Sequence, residues 1–214
     1  MKNEAGTTRA SPGSAVEGAE VPRGKVLAFT APSGAGKTTL VRHLLAHMPE
    51  RLAFSVSATT RAPRPGERHG EDYYFLGAEA FDDLVAAGAF VEYMQLYSGQ
   101  RSGTLRSEVE RIWGLGKAVL FDVDVHGAHA IREAYGEAAR VVFVAPPSRE
   151  VLFARLRARG TEDEGKLAER IARASEELNH RDRFDLVLVN DDLDRAKAEA
   201  ERIARTWLGD GPAA

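Results

Sequence analysis

The densest chemistry in the chain lies in one short run, Ala31-Pro-Ser-Gly-Ala-Gly-Lys-Thr38. It matches G-x-x-x-x-G-K-S/T at every fixed position but the first. Gly34 and Gly36 let backbone N–H groups turn inward around an anion, where a β-carbon would obstruct them. Lys37 adds a point charge for the β- and γ-phosphates of a nucleotide, and the Thr38 hydroxyl is the expected Mg²⁺ ligand. The run before it, Val26–Thr30 (VLAFT), has a buried-strand pattern, and Leu40, Val41, Leu44 and Leu45 after it keep helical spacing. The helix dipole therefore aims at the same anion. Ala31, Pro32, Ser33, Gly34, Ala35, Gly36, Lys37, Thr38 and Thr39 are the expected seat of a nucleoside triphosphate. Ala31 stands where the motif has Gly: with φ negative this costs little, and with φ positive the loop is strained.

The phosphate loop says nothing about the acceptor. Phe54-Ser-Val-Ser-Ala-Thr-Thr-Arg-Ala-Pro-Arg-Pro-Gly-Glu67, followed by Gly70-Glu-Asp-Tyr-Tyr-Phe75, is more discriminating. In isolation Arg61 and Arg64 suit a solvated basic turn. In the order S-x-T-T-R-x-P-R-x-G-E and then G-x-D-Y-x-F, the chain resembles the guanylate kinase family. The resemblance covers about residues 24–208 and continues through Asp122-Val-Asp124, Pro146-Pro-Ser148, Arg159-Gly-Thr-Glu162 and Val189-Asn-Asp-Asp192.

The resemblance implies an ATP:GMP phosphotransferase, with ATP as donor and Mg²⁺ as cofactor. A monophosphate acceptor carries nearly two negative charges, which the planar donors of Arg61 and Arg64 and the Tyr73 hydroxyl would meet. Guanine presents N1–H and N2–H₂ donors beside its O6 acceptor. By the resemblance Glu92 faces those donors, Ser57 and Thr104 contact O6 or N7, and Asp124 assists on the donor side. A site of this kind rejects the wrong base because buried polar groups are left unpaired. Asp122 resembles the acidic residue near Mg²⁺. Arg155, Arg159 and Arg170 resemble arginines of a lid that closes over ATP and balances charge during transfer, and Asn190 resembles a residue near the adenine end.

These residues need a frame. Ala118–Val123, Val141–Ala145 and Leu186–Val189 are continuous apolar runs, the pattern of parallel strands covered on both faces by helices. Ser148 is an expected helix N-cap, and Leu167, Ile171 and Leu178 share a helical face. The turn-rich segment between holds a helix near Glu79–Ala87 and a strand at Phe90–Met94. The expected fold is α/β, a P-loop NTPase-type parallel sheet flanked by helices, with an inserted GMP-binding subdomain and a lid. Residues 1–22 are expected to form a disordered tail and residues 23–210 the domain. The core takes about 23–53 and 112–210, the insertion about 54–111 and the lid about 155–172.

Composition agrees. The 214 residues are 43% hydrophobic and 29% charged, as in a globular protein. A net charge of −3 gives no pull towards nucleic acid or an anionic membrane. No apolar run reaches the roughly 20 residues of a membrane span, and residues 1–22 hold no signal-peptide-like apolar stretch. The absence of Cys excludes disulfides, thiol catalysis and thiolate metal sites, and suits the cytoplasm. Monomer and homodimer are both compatible.

In Tyr97-Ser-Gly-Gln-Arg-Ser-Gly-Thr104 the family's usual Tyr before Gly-S/T is replaced by Ser102. Serine is too short for the reach to the GMP phosphate, so weaker GMP binding is expected, with Arg101 or a water as the compensating group. Two alternatives stand beside the kinase reading. One is a guanylate-kinase-like binding module without catalysis, which Lys37, Thr38 and Asp122 argue against. The other is a kinase for a different phosphorylated acceptor.

Overall fold

The computed structural model describes residues 24–95, 99–158 and 164–209. The expected tail and Arg159 lie outside them.

The first strand, β1 (Val26–Thr30), is buried along its whole length. It is flanked in parallel by β7 (Ala118–Val123) and β8 (Ala139–Ala145), with β2 (Leu52–Phe54) outside β7 and β9 (Leu186–Val189) outside β8. The order is thus β2-β7-β1-β8-β9. Strand periodicity divides β1 between two cores. Leu27 and Phe29 pack with Leu40 and Leu44 of α1 (Lys37–His47), Leu152 and Leu156 of α5 (Arg149–Ala158), and Ala200 and Ile203 of α7 (Leu193–Leu208). Val26 and Ala28 pack with Val109 and Ile112 of α3 (Arg106–Gly114) and Val125, Ala128 and Ile131 of α4 (Val125–Tyr135). Helices on both faces explain the apolar runs of β1, β7 and β8.

β9 departs from the expected double cover. Its run is as apolar as the others, yet Leu188 is buried while Leu186, Val187 and Val189 are exposed. It is the edge strand, and composition does not distinguish edge from centre.

A second sheet, order β4-β3-β6-β5, is built from β3 (Ala58–Thr59), β4 (Tyr74–Phe75), β5 (Phe90–Gln95) and β6 (Arg101–Leu105). With α2 (Ala78–Ala86) it has its own small core of Ala58, Phe81, Phe90 and Leu105. Val91 packs against the α3/α4 core, tying this sheet to the first. Helix α3 begins within the span expected for the insertion but buries Val109 and Ile112 in the main core. Helix α6 (Glu164–Leu178) presents Leu167, Ile171 and Leu178 to the main core, as its periodicity predicts. The Ser148 hydroxyl accepts from Val151 N at 3.3 Å, as an N-cap does.

Candidate functional site

β1 ends at Thr30 and the chain turns through the phosphate loop into α1. Gly34 and Gly36 have φ of 90° and 97°, backbone that a side chain strains. Gly36 is the N-cap of α1 and makes no side-chain cap; Thr39 N turns to the Gly36 carbonyl at 3.1 Å, and the helix N-terminus points its dipole at an incoming anion. Ala31, the departure from the motif, is buried and packs its methyl into the α1-side core.

Parallel register sets Asp122 of β7 beside Phe29 of β1, next to the start of the loop. Its carboxylate bridges two loop residues. Oδ1 pairs with Lys37 Nζ at 2.5 Å and Oδ2 accepts from Thr38 Oγ1 at 2.8 Å. Lys37 also donates to the Val123 carbonyl at 2.6 Å. Asn190 lies buried beneath the loop. Its Nδ2 donates to Ala35 O at 2.7 Å, and its own carbonyl accepts from Arg155 at 3.1 Å. Arg155 thus braces the loop through Asn190.

Arg170 and Arg173 of α6, with Asp124 and Glu177, complete a cleft of about 430 Å³ over Ser33–Thr39. Asp124 uses both oxygens: Oδ1 accepts from Gly127 N at 2.9 Å as the N-cap of α4, and Oδ2 pairs with Arg173 at 3.2 Å. Glu177 accepts from Arg173 Nε at 2.9 Å and from Ser33 N at 3.3 Å, so α6 is joined to the phosphate loop. A larger cleft of about 890 Å³ adjoins it, sharing Arg170, Arg173 and Glu177 and reaching Met94 and Gln95 at the end of β5.

On the second sheet the β5–β6 register sets Glu92 opposite Thr104, whose hydroxyl donates to Glu92 Oε1 at 2.8 Å. Burial pushes the Glu92 carboxyl above its ordinary value; the Thr104 hydrogen bond opposes this and the charge of Asp124 adds to it. Ser57 is half-buried beside β3, its carbonyl accepting from Tyr74 N at 2.9 Å.

Arg61 is clamped by Glu67, NH1 to Oε2 at 2.6 Å and NH2 to Oε1 at 2.7 Å, and its guanidinium stacks 4.8 Å from the centre of the Tyr73 ring. Arg64 is exposed, with its N–H donating to Glu67 Oε2 at 2.7 Å. The hydrogen bonds from Arg61 and then from the Arg64 amide lower the Glu67 carboxyl to about 2. Arg101, the expected compensator for Ser102, is engaged elsewhere. It pairs with Asp82, donates to Ala78 O at 2.9 Å and lies over the Phe81 ring, all on α2.

Arg173, Glu177 and Glu67 are the contributors that sequence reasoning passes over. The signal for the first two is spacing: Arg170, Arg173 and Glu177 recur at helical intervals on α6. Glu67 ends the acceptor motif itself.

A parallel sheet whose first strand feeds a glycine-rich phosphate loop and a helix defines the P-loop NTPase class. The guanylate kinase family model matches residues 23–206. A guanylate kinase of Bacteroides fragilis is 44% identical over 185 residues, covering 86% of this chain and 90% of its own. One of Salinibacter ruber is 47% identical over 188 residues, 88% and 99% of the two chains. The crystal structure of guanylate kinase from Anaplasma phagocytophilum superposes with a TM-score of 0.65 at 30% identity, covering 86% of this chain and 85% of the other. The chain belongs to the guanylate kinase family.

Proposed function

We propose that the chain transfers the γ-phosphoryl group of ATP to GMP, giving ADP and GDP, as a cytoplasmic enzyme of purine nucleotide metabolism. One observation carries this reading beyond family membership. The cleft over the phosphate loop adjoins a larger one that reaches Met94 and Gln95 of β5, the strand that carries Glu92. Glu92 lies two residues from Met94 on the same face of β5, which supports a carboxylate meeting guanine's donors near the proposed seat of the triphosphate.

In this reading the loop amides and Lys37 hold the β- and γ-phosphates, while Arg61, Arg64 and Tyr73 hold the phosphate of GMP. Glu92, with Asp124, accepts from guanine N1–H and N2–H₂, and Ser57 and Thr104 meet its other edge. A GMP phosphate oxygen attacks the γ-phosphorus in line as the bond to the β-γ bridging oxygen breaks. The acceptor is already anionic, so catalysis rests on positioning two polyanions and offsetting their repulsion. Arg155, Arg159 and Arg170 supply positive charge around the transferring group, and Arg173 joins them. Thr38 Oγ1 and the Asp122 carboxylate are oxygen donors suited to a hard cation, and would hold Mg²⁺ and its water shell. When bound, the ion neutralises charge on the β- and γ-phosphates. Closure of α6 over the cleft excludes water, which would otherwise take the phosphoryl group.

A coupled ADP-release assay with GMP, AMP, CMP, UMP and dTMP tests the proposal. GMP-dependent release is expected. No turnover with any acceptor identifies a binding module, and preference for another base sinks the role of Glu92.

A further inference from the structure

Outside the nucleotide clefts, α1 and α7 bring together two imidazoles and a carboxylate. We propose that His43, His47 and Glu201 bind one borderline-soft divalent transition metal ion of the Zn²⁺ type. A ligand atom from each of the three lies within 4.8 Å of the others. His43 and His47 are four apart on α1, so they project from one face, and their ring centres are 4.0 Å apart. Glu201 reaches across from α7, its Oε1 2.7 Å from His43 Nε2.

The hydrogen bonds prepare this cluster for a metal. His47 Nδ1 is 2.9 Å from the His43 carbonyl, an acceptor, so in the neutral ring Nδ1 is the donor and Nε2 the nitrogen left to coordinate. An ion inserted between His43 Nε2 and Glu201 Oε1 replaces the proton they share. Arg205 approaches the other oxygen, Oε2, at 3.9 Å, which leaves Oε1 for coordination. Tetrahedral bonds of roughly 2.0–2.2 Å require ligand atoms about 3.3 Å apart, so the 2.7 Å His43–Glu201 pair opens slightly while the other separations, within 4.8 Å, adjust by side-chain rotation. Two imidazoles select Zn²⁺, Ni²⁺, Co²⁺ or Cu²⁺ over Mg²⁺ and Ca²⁺, which prefer oxygen. His47 is ten residues along α1 from Lys37, about 15 Å at the helical rise, so the site is distinct from the phosphate loop. Its occupation would pin α7 to the C-terminal half of the helix that carries that loop.

The test uses full-length protein free of nucleotide and of any histidine tag, titrated with Co²⁺ and followed by the visible ligand-field band, with Zn²⁺-dependent melting in parallel. One ion per chain is expected, with Tm raised by about 5–10 °C at a hundredfold excess over Kd. His47→Ala changes an exposed residue and should weaken binding tenfold or more, while GMP-dependent activity in Mg²⁺ is unchanged. Glu201→Gln should also weaken it. His129→Ala, which removes an imidazole from a different histidine pair, should bind as the parent does. Absence of one-to-one binding in the parent, or His47→Ala binding as tightly as the parent, overturns the proposal.

Discussion

Asn190 Nδ2 lies 2.2 Å from where a β-carbon on Gly36 would stand, while it donates to the neighbouring Ala35 carbonyl at 2.7 Å. The residue that follows the last strand thus reaches under the phosphate loop and braces it from below. Gly36 is required twice over, by its φ of 97° and by this approach. Asn190→Ala should lower stability by about 1–3 kcal/mol, since it strips a buried carbonyl of its donor, and should raise the KM for ATP. Gly36→Ala should be more damaging to ATP use. Combining the two removes the clash and leaves the backbone strain, so the double variant should recover part of the loss of Gly36→Ala. Denaturant titration and ATP kinetics on the three variants decide this. Strictly additive losses would mean the two residues are not coupled.

Asp122 holds Lys37 and Thr38 at once, so its charge and its geometry are separable by substitution. Asp122→Asn keeps the shape and a carbonyl for Thr38 but removes the negative charge. Turnover should fall by about 10²–10³ with the melting temperature little changed. Lys37→Ala should abolish transfer in a folded protein. Full activity in a correctly folded variant of either kind overturns the assignment of this end of the cleft.

How far the site could be read from sequence depends on the range of each interaction. The phosphate loop is legible because strand, glycines and helix follow one another without a break. The acceptor motif is legible for the same reason: Arg61, Arg64 and Glu67 lie within one turn-rich run. Strands β3 and β4 are two residues each and β2 is three, too short for any periodicity to declare them. Arg173 and Glu177 read as ordinary solvated charges because their partners, Asp124 and Ser33, are 49 and 144 positions away. The second role of Asn190 escapes for the same reason, since Ala35 lies 155 residues earlier.

Acidification should act on GMP through Glu92 and not through Glu67. The raised Glu92 carboxyl takes up its proton at a higher pH than an ordinary carboxylate, and in its proposed role it would then no longer accept guanine's donors. Arg61 keeps its partner, because Glu67 protonates only near pH 2. The KM for GMP should therefore climb as pH falls through the raised Glu92 value, and a profile following an unshifted carboxylate would count against it. Stability runs the opposite way. A carboxyl raised on folding favours the folded state below its unfolded value, and that contribution is lost as pH rises through the folded value. At neutral pH the buried charge is a burden on the protein without nucleotide. Glu92→Gln should thus raise Tm at neutral pH while severely impairing GMP use, and the rise should disappear in acid.

Ser102 offers a gain-of-function test of the acceptor site. In β6 it is two residues from Thr104, so both side chains project on the face that carries the Thr104–Glu92 contact. Its hydroxyl is spent on the Ala58 carbonyl at 3.0 Å. Arg101, on the opposite face, is held to α2 by Asp82 and Ala78 O and leaves the vacancy unfilled. A tyrosine at position 102 restores the family's usual residue and extends a hydroxyl towards the proposed phosphate position of GMP. One charge-assisted hydrogen bond is worth about 1.5–3 kcal/mol, which corresponds to roughly a ten- to hundredfold lower KM for GMP. The KM for ATP should not move, because Ser102 belongs to the second sheet and lines neither wall of the phosphate loop. An unchanged or higher KM for GMP in Ser102→Tyr would show that this chain meets the acceptor phosphate without help from position 102, leaving Arg61, Arg64 and Tyr73 to do so alone.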